Sequence, residues 1–272
     1  MALHSLSVVN PDSRIAADVE VGPFTFIDKD VEIGPGTWIG PNVTIFAGAR
    51  IGANVRIFPG AVISGIPQDL KFKGEYTTAE IGDHTTIREY VTVNRGTSAA
   101  GKTTVGKHCL LMAYAHVAHD CELGDRVVIA NNVNLAGHVI VEDWAIIEGQ
   151  VGVQQFTRIG RHSFIAGGSL VRKSVPPFIR AAREPLSYIG VNRIGLERRG
   201  YDVETINVIH EIYRILFVKG LNITNAVELL MTEVPDCPER KEVIQFIKAT
   251  QQTGILRSFQ QINGNKAATN AG

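Results

Sequence analysis

VGKHCLLMAYAHVAHDCELGDRVVIANNVNLAGHVIVEDWAIIEGQVGVQQFTRIGRHSFIAGGSLV, residues 105–171, carries an aliphatic side chain at every sixth position: Val105, Leu111, Val117, Leu123, Ile129, Leu135, Val141, Ile147, Val153, Ile159, Ile165 and Val171. The same phase holds upstream at Ile81, Ile87 and Val93, and before them from Val9 to Ile63. Two residues before each of these sites stands Ala, Val, Ser, Thr or Cys. A period of six with a second, small inward position suits neither an amphipathic helix nor a single alternating strand. It is the pattern of a solenoid, in which each hexapeptide forms one side of a prism and stacked coils bury a continuous core.

Three hexapeptides close one triangular coil, and neighbouring coils stack about 4.8 Å apart. Roughly nine coils between Val9 and Val175 make a prism on the order of 43 Å long. Three flat walls leave room on the axis for one aliphatic residue per side, so the preceding inward residue must be small. Gly22, Gly34, Gly40, Gly52, Gly82, Gly106, Gly124 and Gly160 follow lattice residues, which predicts corners that need a permissive backbone. The period does not set the hand of the coil, although ordinary parallel crossovers are right-handed.

The repeat ends at Ser174-Val175-Pro176-Pro177, where consecutive prolines remove ladder donors. Helical spacing follows. Asp202 is the expected cap of a helix over Val203–Lys219 with Gly220 as its stop, and further helices are expected over Thr224–Thr232 and Pro238–Gln252. From about Asn263 the chain is polar and small and is expected to fray. The expected architecture is mainly β: a parallel β-helix domain over 1–177 and a C-terminal α-helical domain over 178–272.

The chain has 272 residues with 27 basic and 27 acidic side chains, and this zero balance argues against nucleic acid as the main partner. Cys109 and Cys121 fall on small inward sites and Cys237 lies far off, so reduced structural thiols in a cytoplasmic protein are expected. The N-terminus shows no signal-peptide pattern, and no segment reads as a membrane span.

A solenoid acquires function where it departs from its repeat. Asp69 and Glu75 take lattice positions in Ser64–Glu80, and Asn94–Thr104 is rich in Gly, Ser and Thr; both read as loops leaving the wall. Between them and the end of the repeat lies the densest polar cluster, His116, His119 and Asp120, with His138 one coil on. Stacking predicts His119, Gly137 and Gln155 on one ledge and Asp120, His138 and Phe156 on the next. Two chemistries suit such a cluster. A neutral His119 could remove a hydroxyl proton during acyl transfer, with Asp120 holding its tautomer and the Gly137 N–H receiving an oxyanion. Alternatively, the histidines could ligate Zn²⁺ for hydration chemistry, as in hexapeptide carbonic anhydrases. Spacing alone leaves both open.

Six segments in order, GIPQDLKFKGE, IREYVTVNRGT, LLMAYAHVAHDCELGD, NNVNLAGHVIVED, the Val-Pro-Pro stop and GVNRIGLERRGY, resemble the UDP-N-acetylglucosamine O-acyltransferase family of lipid A biosynthesis. The resemblance implies a left-handed β-helix and a homotrimer with active sites between subunits. It also implies transfer of an (R)-3-hydroxyacyl chain from acyl carrier protein to the glucosamine 3-hydroxyl of UDP-N-acetylglucosamine. No metal or other cofactor is implied, since the donor brings its own phosphopantetheine. By the same resemblance His119 is the base, Asp120 its partner and Gly137 the oxyanion donor. Gln68, Asp69, Lys71, His116, His138 and Gln155 line the sugar and acyl site. Asn192, Arg199 and Arg198 contact uridine and phosphates, and Gly167 sets acyl length. Asn94 and Gln154 replace histidines common in the family, which predicts weaker phosphate contacts there. Arg158, Arg161, Arg172, Lys173, Arg180 and Arg183 form the expected docking face for an acidic carrier. A related acyltransferase acting on a 3-amino sugar nucleotide fits the same residues. The pathway's N-acyltransferase does not, because it places a uridine-binding domain before its solenoid, whereas here the lattice starts at Val9.

Overall fold

The computed structural model describes residues 2–259, so the stretch from Asn263 lies outside the described residues. Short strands alternate with turns and assemble into three parallel sheets, the walls of a left-handed β-helix. The first wall runs from Ala2–Leu3 to Phe164–Ile165, the second from Val8–Val9 to Leu170–Val171, and the third from Arg14–Ile15 to Arg158–Ile159. Each coil repeats its neighbour in register, with Leu110 beside Val128 and Val128 beside Ile146. Every lattice residue from Val21 to Val171 is buried, whereas Val9 and Ile15, in the outermost coils, are half-buried. Removing each such side chain from water contributes about 1.5–3 kcal/mol, which is the main force holding the prism together.

The corners correct one sequence expectation. Gly22 and Gly106 do not have positive φ. A Cβ on Gly22 would sit 2.7 Å from the carbonyl carbon of Gly40 in the next coil. These glycines are required by the close approach of stacked backbones, not by a turn. The left-handed conformation falls two residues later, on Phe24, Asn42 and Asn54, with φ of 60°, 56° and 56°. Such a conformation costs a non-glycine residue about 1–2 kcal/mol, and here the coil closure imposes it.

Beyond Pro177 the first wall continues into an antiparallel hairpin, Ile179–Ala182 with Ser187–Val191, that no period in the sequence announces. Among the described residues four helices follow: α1 (Arg193–Arg198), α2 (Val203–Phe217), α3 (Ile223–Glu233) and α4 (Pro238–Ala249). Asp202 caps α2 as expected, accepting from the Thr205 N–H, and Gly220 turns the chain with φ 75°. α1 was not foreseen, being too short to show a period. Tyr213, fully buried on α2, donates its hydroxyl to the Pro177 carbonyl at 2.5 Å and so ties the helices to the end of the prism.

Both excursions leave from one corner, where the second wall turns into the third. Residues 66–77 join Val62–Gly65 to Thr78–Ile81, and residues 95–101 join Thr92–Asn94 to Lys102–Val105. The His116–Asp120 segment turns the same corner one coil further along.

Candidate active site

The ledge predicted from stacking is present. His119 lies on the second–third corner, and its Nδ1 donates to Asp120 Oδ2 at 2.8 Å. That bond fixes the tautomer and leaves Nε2 as the bare, proton-accepting nitrogen. The His138 ring meets the His119 ring edge-on, 5.2 Å between centroids, and stacks on Phe156 at 4.7 Å. Gly137 faces the base: a Cβ there would come within 2.6 Å of His119 Cε1. Its own N–H finds no acceptor among the described residues and is available to a ligand. Gln155 follows at the same corner one coil on and is exposed. His116 sits on the adjoining wall, bonded through Nδ1 to the Thr92 hydroxyl at 2.7 Å. Burial, and then the neighbouring His119, hold His116 below the usual histidine range, so it is a neutral polar group.

Asp120 is buried, and its carboxylate is fully engaged. Thr97 donates its backbone N–H to Oδ1 at 2.8 Å and its hydroxyl to Oδ2 at 2.7 Å, alongside His119. Burial alone would raise this carboxyl. The bonds from His119 and Thr97, with His138 nearby, bring it below the ordinary aspartate value. Sequence reading missed Thr97, because a loop threonine in an earlier coil meets Asp120 only once the corner forms. The lowered value means Asp120 stabilises the fold above the unfolded pKa, and this contribution vanishes as pH falls through the folded one. Thr97→Val is therefore expected to cost about 1–2 kcal/mol at pH 7. In urea melts the gap from the parent should close as pH falls through the lowered Asp120 pKa, beneath the ordinary aspartate value; a gap that persists in still more acid solution would show that the loss comes from packing.

The 66–77 loop reaches this corner through the second excursion. Ser98 donates its N–H to Glu75 Oε1 at 3.0 Å, and the Arg95 guanidinium covers the Phe72 ring at 5.5 Å. Gln68, Asp69 and Lys71 ride on this loop, where Asp69 Oδ1 accepts the Lys71 N–H at 2.9 Å. Leu70 and Ile66 on the same loop are exposed, with nothing among the described residues covering them. Asn94 does not open a solvent loop as expected. It closes the strand Thr92–Asn94 and is buried, its Oδ1 without a hydrogen-bond partner among the described residues. Gln154 is exposed.

Other predicted residues lie elsewhere on the prism. Gly167 turns the first–second corner, where its N–H is bonded to Glu148 at 3.1 Å; the positive φ belongs to Gly168. Asn192 and Arg199 cap the two ends of α1, and Arg199 packs on the third–first corner, its guanidinium 5.1 Å from the Trp144 ring and its Nη1 3.1 Å from His162 Nδ1. Arg198 is exposed in the last turn of α1. Within one chain these residues therefore occupy different corners from His119. The expected carrier-docking face is also reduced: Arg158 pairs with Glu142 at 2.5 Å, Arg161 with Glu242 at 2.6 Å and Arg172 with Glu184 at 2.9 Å. Those charges are compensated within the chain, leaving Lys173, Arg180 and Arg183 without an ion pair among the described residues.

His119, Asp120 and His138 also bring three donor atoms within 4.8 Å of one another, a set that could hold a metal ion. The fit is poor on one point. Both Asp120 oxygens already accept hydrogen bonds, and the Nδ1 of His119 carries the proton of one of them. That arrangement suits a base held for proton transfer better than an open ligand set.

Residues 175–256 match the family model for the second domain of UDP-N-acetylglucosamine O-acyltransferase, and residues 30–65 and 102–137 match the bacterial transferase hexapeptide model. An acyl-(acyl-carrier-protein)-UDP-N-acetylglucosamine O-acyltransferase from Xylella fastidiosa is 48% identical over 94% of this chain and 97% of its own length. The structure of a UDP-N-acetylglucosamine acyltransferase from Bacteroides fragilis superposes with a TM-score of 0.92 at 47% identity, covering 93% of this chain and 99% of that one. The corresponding acyltransferase from Francisella novicida gives 0.92 at 38% identity, covering 96% of each chain.

Proposed function

This chain belongs to the UDP-N-acetylglucosamine O-acyltransferase family, and on that premise we propose that it transfers an (R)-3-hydroxyacyl chain from acyl carrier protein to the glucosamine 3-hydroxyl of UDP-N-acetylglucosamine, the first step of lipid A biosynthesis. The observation that carries the chemistry is the His119–Asp120 pair with Gly137 set against the imidazole. Nε2 takes the proton of the sugar hydroxyl as its oxygen bonds to the thioester carbonyl carbon. The tetrahedral oxyanion is met by the Gly137 N–H, and the C–S bond then breaks as the imidazolium returns its proton to the departing thiolate. Asp120 steadies the imidazolium throughout. No step calls for a metal or other cofactor.

Gln68, Asp69, Lys71, His116, His138 and Gln155 are assigned to the sugar and acyl groups, and Asn192, Arg198 and Arg199 to uridine and diphosphate, for which guanidinium forks are well shaped. In a single chain these sets stand at different corners, and exposed Leu70 and Ile66 project from the loop beside His119. Both observations support a homotrimer whose sites lie between subunits, one chain supplying the base and its neighbour the nucleotide contacts. A cytoplasmic setting is supported by three unpaired cysteines, of which burial pushes the Cys109 thiol to about 11. No helix among the described residues is long and apolar enough to cross a membrane.

The test is to supply UDP-N-acetylglucosamine with hydroxyacyl-carrier donors of several lengths and identify the product by mass. A product cleaved by hydroxylamine is the ester; a resistant one is the amide expected of a 3-amino sugar acceptor. Zinc at one atom per subunit in active protein, lost together with activity on chelation, would overturn the metal-free mechanism. Gly167 is assigned to chain length by the resemblance to the family, since a residue with no side chain would leave an acyl groove open at this exposed position. Gly167→Met is expected to move preference toward shorter donors, and unchanged selectivity across the series would remove that role.

A further inference from the structure

His162 touches two of the residues assigned to the nucleotide, buried Asn192 and half-buried Arg199. It stands on the third–first corner with φ 55°, its ring 6.2 Å from that of Trp144 and 5.9 Å from that of Phe178. Its carbonyl accepts the Asn192 Nδ2 at 2.9 Å. Its Nδ1 lies 3.1 Å from Arg199 Nη1, and its Nε2 lies 3.2 Å from the Tyr201 hydroxyl, which also receives Arg161 Nη2 at 3.1 Å. A guanidinium only donates, so Nδ1 must be the bare acceptor and the ring proton must sit on Nε2. The polar groups facing the ring are thus Arg199, Arg161 and Tyr201. Burial, then these two cations, push His162 down to about 3, so the ring is a neutral acceptor at physiological pH.

We propose that His162 is a positioning residue for the nucleotide, its ring aiming the Arg199 guanidinium and its carbonyl fixing Asn192, so that both meet a uridine diphosphate already in place. This rests on the reading of the protein as a UDP-sugar acyltransferase. An unheld arginine must give up rotamer freedom when it binds a phosphate, and an arginine held beforehand does not. Sequence analysis did not single out His162, because the period marks it only as a corner residue.

Two substitutions separate this role from packing. His162→Phe keeps an aromatic ring in the Trp144–Phe178 stack and suits the corner, since Phe24, Phe156 and Phe178 already hold φ of 60°, 64° and 65°. It removes the acceptor while leaving the backbone bond to Asn192. His162→Asn loses the ring but keeps a short acceptor in a residue tolerant of this conformation. UDP binding by calorimetry and steady-state kinetics with the nucleotide sugar are the readouts. His162→Phe is expected to weaken UDP binding and raise KM roughly tenfold with kcat nearly unchanged, while His162→Asn recovers most of the affinity. UDP affinity in the Phe variant equal to the parent's, or a fall in kcat alone, overturns the proposal. If the Phe variant is too unstable to assay, Tyr201→Phe, which removes the partner of Nε2, should raise KM in the same sense; an unchanged KM there overturns it too. A parent protein that does not bind UDP sinks the functional reading itself, an outcome distinct from either.

Discussion

His119→Ala is expected to lower turnover by roughly 10²–10⁴-fold, the usual loss when a positioned base is removed, with little change in UDP affinity. The substitution takes away the only group on the ledge whose free nitrogen is set by a carboxylate. His138 does not replace it, because its Nε2 lies 3.7 Å from Asp120 Oδ2, too far for a hydrogen bond to hold the ring as His119 is held. Folding should be preserved, since position 119 lies on the outside of a corner and the lattice residue Val117 is untouched. A parent-like rate in His119→Ala protein free of wild-type enzyme would end the general-base mechanism and require new roles for its neighbours.

Gly137→Ala should be nearly as damaging, for a different reason. The backbone conformation at 137 tolerates alanine, but the added Cβ would stand 2.6 Å from His119 Cε1 and 2.7 Å from Nε2. The imidazole must turn away, weakening its bond to Asp120 and shifting the atom that receives the proton. Displacements of about 1 Å from a reactive geometry cost on the order of 10²-fold in rate, so kcat should fall by at least that much at near-parental thermal stability. The pair of variants is informative together: adding Gly137→Ala to His119→Ala should cost little more, because the methyl then has no ring to displace. A full additional loss would mean that the methyl harms the reaction directly, by obstructing substrate at position 137, and not through the His119 ring.

The prism was legible before any coordinates because its constraint is translational. Every coil presents the same narrow axis, so Val21 and Val171 answer to the same rule. The ledge was legible for the same reason: a constant coil length brings His119, Gly137 and Gln155 into one column. What escaped the period were relations it does not encode. Thr97 binds Asp120 from a loop outside the lattice, and His162 holds Asn192 and Arg199, which come after the repeat has ended. The glycines misled because residues that permit unusual dihedrals and residues that permit close approach are the same type. Only geometry shows that Gly22 serves contact while Phe24 bears the left-handed turn.

The stack is closed unequally. At one end Tyr213 and the helices lock onto Pro177, whereas at the other Ala2–Leu3 and Val8–Val9 pair on one side alone among the described residues. In a one-dimensional assembly, opening propagates from the less-protected end. Deuterium should therefore enter the amides of the first coils soonest and those around His116–Leu135 late. Fraying that begins at the N-terminal coil would thus have to unzip several layers before it reached the chemistry.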